Sequence, residues 1–412
     1  MQNDEVQLLA SWPVNGPAES GTGETIVDFH YLNNSTFLCC ILSGGDIFLI
    51  KTEAEESEEK IQIIGNMETG ILAAQWTVDE ETLAIASGTN RHIPPPLPAI
   101  TTNFWPGDSK LVFMTSTFET ITEIALSPTD ISQHINQVSV GWGRSETQFR
   151  GLRAKNAPRD PTLPERVDEG ILSQQDDQKT HLHWRADGEF LALSRIEREE
   201  GKPGGRRVVR VYSRDGQIES FSEPIDGLEG TLSWRPSGQW IATVKRGTDD
   251  TAEIVFLERN GLRHGGFALG HLGAGEVRDL SWNSDSSCLG VLLRDHIQLW
   301  MMSNYNWKLK AEIARFEEPG GFDFVWHPEK PNILFVNNGG EYSISRRVID
   351  SDAVERYEFV LDLCNDYSTP PSDYGLVAVI DGGTHRHTLP LPPQKKKLFF
   401  HLCNLTRDGQ KH

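Results

Sequence analysis

The chain predicts an all-β fold, a WD40-like β-propeller of about seven blades. Three observations predict it. An apolar stretch ending in Trp, a short polar turn and a second apolar stretch recur along the 412 residues. Most copies lie 44–50 residues apart. Further β segments, each with a central turn, follow three of the copies. Self-similarity at such a period marks repeat architectures, and four strands in ~45 residues mark a propeller blade.

The copies read ILAAQWTVDEETLAIAS around Trp76, THLHWRADGEFLALSRI around Trp184 and GTLSWRPSGQWIATVKR around Trp234. They continue as VRDLSWNSDSSCLGVLLRD around Trp282 and GFDFVWHPEKPNILFVN around Trp326. A weaker copy, TIVDFHYLNNSTFLCCILSGGD, places Phe29 at the Trp position, which gives spacings of 47, 108, 50, 48 and 44. Asp187-Gly188 and Ser237-Gly238 supply the positive-φ positions of tight hairpins. The flanking runs are short and either alternate or stay apolar, which argues strands and not helices. The following segments, 207–223, 253–269 and 296–313, turn at Arg214-Asp215-Gly216, Arg259-Asn260-Gly261 and Ser303-Asn304. Each repeat Trp has a structural role in this reading. It ends an inner strand and fills the wedge between adjacent blades.

The interval between Trp76 and Trp184 is too long for one blade. It holds a run of prolines (Pro94, Pro95, Pro96, Pro98), the stretch LVFMTSTFETITEIAL and then NQVSVGWGRSETQFRG. Residues 151–178 are polar and read as a long exposed insertion between two strands of one blade, a kind of loop that often carries function. Residues 51–60 read as an acidic, solvated blade tip. The expected organisation is a divergent segment over 1–24 and a propeller over 25–364. Residues 365–412 are a closing fragment, or the start of a second propeller, with a divergent tail.

Composition narrows the functional classes. Net charge is −20, and residues 1–80 hold 14 acidic against two basic side chains. That end repels phosphate. No apolar run is long enough for a membrane helix, and the start lacks the pattern of a secretory signal. Five cysteines without CxxC spacing point to a reducing intracellular compartment. Cys39 and Cys40 are neighbours on a strand and face opposite ways, so one of them is expected in the core.

Catalytic signals are weak. His181/His183 and His385/His387 are i, i+2 pairs that share a strand face, but neither has a third ligand at metal spacing. There is no HExxH and no GxSxG. Asp176-Asp177 and Asp249-Asp250 read as solvated turns. GKPGGRR (201–207) lacks the phosphate-loop pattern and reads as a hairpin tip. No catalytic residue, metal or cofactor is assigned. Two basic stretches are the candidate phosphate contacts: Arg144, Arg150, Arg153, Lys155 and Arg159, and the run from Arg195 to Arg214 that includes Arg206 and Arg207. Lys395–Lys397 is too short to read as a nuclear signal.

Several segments go beyond a generic propeller. VSVGWGRSETQFRG (138–151), VRVYSRDGQIESFSEPIDGLEGTLSWRPSGQWIAT (209–243), IVFLERNGLRHGGF (254–267), LSWNSDSSCLGV (280–291), IQLWMMSNYNWKLK (297–310) and LVAVIDGG (376–383) stand in register. From about 25 to 393 the chain resembles the N-terminal propeller region of the largest, scaffold subunit of the Elongator complex. The resemblance implies a non-catalytic scaffold in the machinery that modifies wobble uridine 34 of tRNA, cytoplasmic with a nuclear presence. The implied partners are the other Elongator subunits, including the catalytic radical-SAM and acetyltransferase-like subunit. Contact with tRNA is indirect, or falls on Arg144, Arg150, Arg153, Lys155, Arg206 and Arg207.

The chain departs from the family plan. Part of the first blade is missing, the end diverges after Pro390–Pro393, and the helical repeats and homodimerisation segment are absent. A fragment, a truncated gene model and a paralogue all fit. The most distinctive element, Gly141, Trp142, Gly143, Glu146, Thr147, Gln148 and Phe149, is the candidate partner-docking site, with a blade corner as the alternative. Two other functions stay open: a WD40-type adaptor in another pathway, and a propeller hydrolase or lyase using groups that line the channel.

Overall fold

The computed structural model describes residues 6–14, 25–35, 37–51, 61–88, 109–127, 168–197, 205–249, 251–271, 277–303, 305–315, 322–338, 343–349, 354–360, 376–381 and 398–405. All regular structure in them is β. The first sheet runs β2 (Ile26–Leu32), β3 (Phe37–Leu42), β4 (Asp46–Lys51), β5 (Ile61–Asn66). The second runs β6 (Ile71–Trp76), β7 (Thr82–Ser87), β8 (Lys110–Thr115), β9 (Thr120–Ala125). The third runs β10 (His181–Trp184), β11 (Phe190–Glu197), β12 (Arg206–Ser213), β13 (Ile218–Phe221). The fourth is β14 (Leu228–Trp234), β15 (Trp240–Arg246), β16 (Thr251–Glu258), β17 (Arg263–His271). The fifth is β18 (Val277–Trp282), β19 (Cys288–Leu293), β20 (His296–Ser303), β21 (Asn306–Ala314). The sixth is β22 (Phe322–Trp326), β23 (Ile333–Asn338), β24 (Ser343–Ile349), β25 (Val354–Val360). In a seventh, three-stranded sheet, β1 (Val6–Val14) pairs with β27 (Leu398–Leu405), which pairs with β26 (Leu376–Asp381).

Each four-stranded sheet is an antiparallel meander in chain order. Their first strands, β2, β6, β10, β14, β18 and β22, touch one another in succession. That succession makes them the inner strands of a β-propeller. The short turns between strands come from residues that tolerate positive φ, such as Gly188 at +69° and Gly216 at +83°.

The core is divided into layers. One apolar cluster lies between each consecutive pair among the first six sheets, for example Phe113 and Ala84 of the second against Trp184 and Leu193 of the third. A middle strand is therefore covered on both faces. β7 and β19 are buried at every position, which is why their sequences are continuous apolar runs and not alternations. The same packing corrects the reading of Cys39 and Cys40. They do face opposite ways, into different clusters, but both are fully buried.

A second correction concerns residues 151–178. β9 completes one sheet and β10 opens the next, so this stretch joins two blades and does not interrupt one. The stretch inserted within the second blade is 88–109, between β7 and β8. A third concerns the weak first copy. Trp76, Trp184, Trp234 and Trp282 pair with Leu83, Leu191, Ile241 and Leu289, always seven positions on. In the first sheet that offset falls on Tyr31 and Leu38, so Tyr31, not Phe29, holds the Trp position.

Candidate functional site

The repeat tryptophans form a seam between blades. The Trp184 indole N–H donates to the Gln75 carbonyl at 3.0 Å, and the Gln75 side-chain oxygen accepts the Trp184 backbone N–H at 2.8 Å. Gln75 stands immediately before Trp76. The same position anchors the next Trp elsewhere. Ser281, before Trp282, accepts the Trp326 indole N–H at 3.0 Å. His183, before Trp184, lies against the next Trp, its Nδ1 3.2 Å from the Trp234 backbone nitrogen and 2.8 Å from the Trp184 carbonyl oxygen. His30, before Tyr31, stacks on Trp76 with centroids 6.2 Å apart. Burial pushes the His183 imidazole down to about 4, against the opposing bond to the Trp184 carbonyl, so it is neutral at pH 7. All five repeat tryptophans are buried.

Two positions further back, three inner strands carry an aspartate: Asp28, Asp279 and Asp323, each three residues before the Trp position. Burial pushes the Asp28 carboxyl up to about 7. Burial and then the charge of Asp323 on the neighbouring strand push Asp279 up to about 7. The sequence reading missed this tier, although its signal is visible as an Asp at one register of TIVDF, VRDLSW and GFDFVW.

The described part of the connection, residues 168–180, is tied down as a strap over the third and fourth sheets. The Asp226 carboxylate accepts the backbone N–H groups of Glu169, Gly170 and Ile171 at 2.9, 2.8 and 3.0 Å. Gly227 N–H donates to Ile171 O at 2.7 Å. Gly227 has φ +74°, and a Cβ there would lie 1.9 Å from the Arg246 carbonyl oxygen, so no other residue fits. Ser173 donates to Glu229 at 2.9 Å, and Glu229 pairs with buried Arg246 at 2.6 Å.

This strap overturns part of the phosphate-contact reading. Arg207 is 1% exposed, and its guanidinium grips Asp176 through Nε at 2.5 Å and Nη2 at 2.6 Å. Its Nη1 donates to Lys179 O and Ser194 Oγ. Arg206 is buried and donates to Ser222 O. Both open β12, a middle strand, so neither can meet a nucleic-acid backbone. Asp176 and Asp177 are correspondingly not a solvated turn. Burial works to raise the Asp177 carboxyl, but His181, the Lys179 N–H and Arg207 outweigh it and hold it at about 2. Other cations of this run are also spent. Arg210 pairs with Glu197 at 2.7 Å, and Arg214 reaches Asp79 and Glu81 of the second sheet.

His181 is committed to Asp177 at 2.7 Å, and among the described residues no group of three or more His, Cys, Asp or Glu side chains is placed to hold a metal ion. Gly141, Trp142, Gly143, Glu146, Thr147, Gln148 and Phe149 lie outside the described residues, as do Arg144, Arg150, Arg153, Arg159, Lys155, His385, His387, Lys395–Lys397, the 198–204 hairpin tip and most of the 51–60 loop.

Comparison with known proteins decides the family. Residues 1–329 match the family described as the ELP1 first N-terminal beta-propeller. The chain belongs to the Elongator complex protein 1 family. It is 38% identical over 387 residues to Elongator complex protein 1 of Schizosaccharomyces pombe, which covers 93% of this chain and 28% of that protein. It is 34% identical over 393 residues to Elongator complex protein 1 of Saccharomyces cerevisiae, covering 88% of this chain and 26% of that one. The Rattus norvegicus protein of the same name is 32% identical over 333 residues, covering 77% and 22%. The chain thus spans about a quarter of the length of these Elongator relatives. The match to the ELP1 propeller runs past Trp326, so all five repeat tryptophans fall within the family region.

Proposed function

We propose that this propeller is a non-catalytic scaffold of the Elongator complex, holding the catalytic subunit and its neighbours while wobble uridine 34 of tRNA is modified in the cytoplasm, with a nuclear pool. The observation that carries the reading is the family match over residues 1–329. The physics is compatible with it. A meander of hydrogen-bonded blades, stitched by buried indoles, presents loops already ordered, so docking costs little conformational entropy. The partners are the other Elongator subunits. Arg207, Arg210 and Arg246 are consumed by internal carboxylates, which favours protein contact over direct tRNA contact at these positions. The test is deletion of the gene in the source organism, followed by mass spectrometry of tRNA nucleosides. The reading predicts loss of the modified wobble uridines, restored by the intact gene. Unchanged modification overturns it.

A further inference from the structure

A groove opens between the fourth and fifth blades, at the end of the sheets where the inner strands turn. It is a cavity of about 460 Å³, lined by Arg235, Ser286, Ser287, Met302, Tyr305 and Trp307 among others. Its apolar surface is unusual for this molecule. Met302 is 40% exposed, Tyr305 94% and Leu309 42%, all on the β20–β21 hairpin. The other large exposed apolar side chains of the described residues are spread over the remaining sheets and loops. Met, Tyr, Trp and Arg are the residue types enriched where proteins dock.

The groove is also strained. Five described residues other than glycine have positive φ, and two of them, Ser286 at +66° and Tyr305 at +63°, line this cavity. Phe118, another of the five, rests edge-on against Trp76. Tyr305 has no such compensation, standing almost wholly in solvent at a hairpin position that suits glycine. Strain without a local packing reason points to function.

Its polar groups specify the occupant. Arg235 is held rigidly, between Trp240 and Trp282 at 5.1 and 5.3 Å, and donates Nε and Nη2 to Ser286 O. Its Nη1 has no partner among the described residues and is left to donate. Ser287 Oγ accepts from Asn283, and Ser286 Oγ accepts from the Ser237 N–H, so both hydroxyls retain a proton to give. Among the described residues no carboxylate lines the cavity; Asp285, next to Ser286, is turned to its own loop, where it accepts the Ser287 N–H. A donor-rich wall beside an apolar floor fits a carboxylate adjoining an apolar side chain. One cation reads one carboxylate, whereas a polynucleotide needs a row of them.

We propose that the Arg235–Tyr305–Trp307 groove docks an acidic, apolar peptide segment of a partner protein, with one carboxylate on Arg235 and a neighbouring apolar side chain against Met302, Tyr305 and Trp307. This goes beyond the Elongator assignment and does not depend on it. Its failure would leave wobble-uridine modification untouched.

The test is fluorescence anisotropy on the full chain, using a fluorescein-labelled decapeptide that alternates glutamates with leucine and phenylalanine. Saturable binding is expected. Tyr305→Gly should weaken it about tenfold while leaving Tm at or above the starting value, because glycine relieves the hairpin. Arg235→Gln should weaken it to a similar degree, and so should replacing the peptide glutamates with glutamine. Arg235 packs on two indoles, so Met302→Ser serves as a second surface variant should Arg235→Gln fail to fold. Absence of saturable binding overturns the proposal, as does binding indifferent to Tyr305→Gly and Met302→Ser. Tighter capture of a fluorescein-labelled oligouridylate with the same sensitivity would also overturn it, in favour of nucleic acid.

Discussion

Trp184 and Gln75, 109 residues apart in sequence, exchange two hydrogen bonds across a blade boundary. The indole of one donates to the carbonyl of the other, and the amide oxygen accepts a backbone N–H in return. The arrangement shows one use of the polar residue that stands before the Trp position in each of the first five blades. Each Trp fills the wedge toward the preceding sheet, and His30, Gln75, His183 and Ser281 meet the next Trp there.

Truncation at this seam should therefore be costly. Trp184→Ala removes a buried ring against Phe113, Leu191 and Leu193 and should destabilise by about 3–5 kcal/mol. Trp184→Phe keeps much of the packing and loses the indole bond, so its cost should be smaller, about 1 kcal/mol beyond the lost volume. Urea unfolding of the three proteins measures both.

Arg207 should behave as a structural ion and not as a ligand contact. Arg207→Gln leaves Asp176 buried without its partner and should cost about 3–5 kcal/mol. Salt should screen little of it, because both side chains are almost fully covered. Denaturation at low and high NaCl checks this. Loss of oligonucleotide binding with unchanged stability would refute it.

The inner-strand aspartates give a pH dependence of defined sign. Asp28 and Asp279 sit near 7 in the folded chain against 3.8 when unfolded. Their contribution is fully present below pH 3.8 and is lost as pH rises through 7. Asp177, held near 2, works oppositely, and its contribution is lost as pH falls through 2. Asp279→Asn should therefore stabilise the protein at pH 8 relative to the parent, with a smaller advantage at pH 4.5. Tm of both proteins across that range measures the difference.

Buried thiols should be inert. Cys39, Cys40 and Cys288 are all buried, and burial pushes Cys40 and Cys288 up to about 12 and Cys39 higher still. Alkylation at pH 8 followed by peptide mass spectrometry should find these three unmodified in the native chain and labelled in urea.

The fold was legible because its determinants are local. Trp184, Asp187-Gly188 and the apolar run after them are neighbours in sequence, and one hairpin needs nothing more. The site was less so, because its contacts are distant. Arg207 looks like a loop cation in GKPGGRR, and only the strap that returns Asp176 to it, 31 residues away, shows that its charge is spent. Phe29 misled for a similar reason: hairpin register, not aromatic character, fixes the Trp position, and register selects Tyr31. Trp142 and Phe149 remain the most distinctive sequence element, and the Trp142→Ala and Phe149→Ala proteins should lose the catalytic subunit on purification while keeping their Tm.

The central claim is that this propeller works inside Elongator. The measurement that tests it most directly is affinity purification of the tagged chain from its source organism, with mass spectrometry of what co-elutes. The account predicts Elongator subunits, the radical-SAM subunit included, in amounts comparable with the bait. Recovery of the folded chain without them would contradict it.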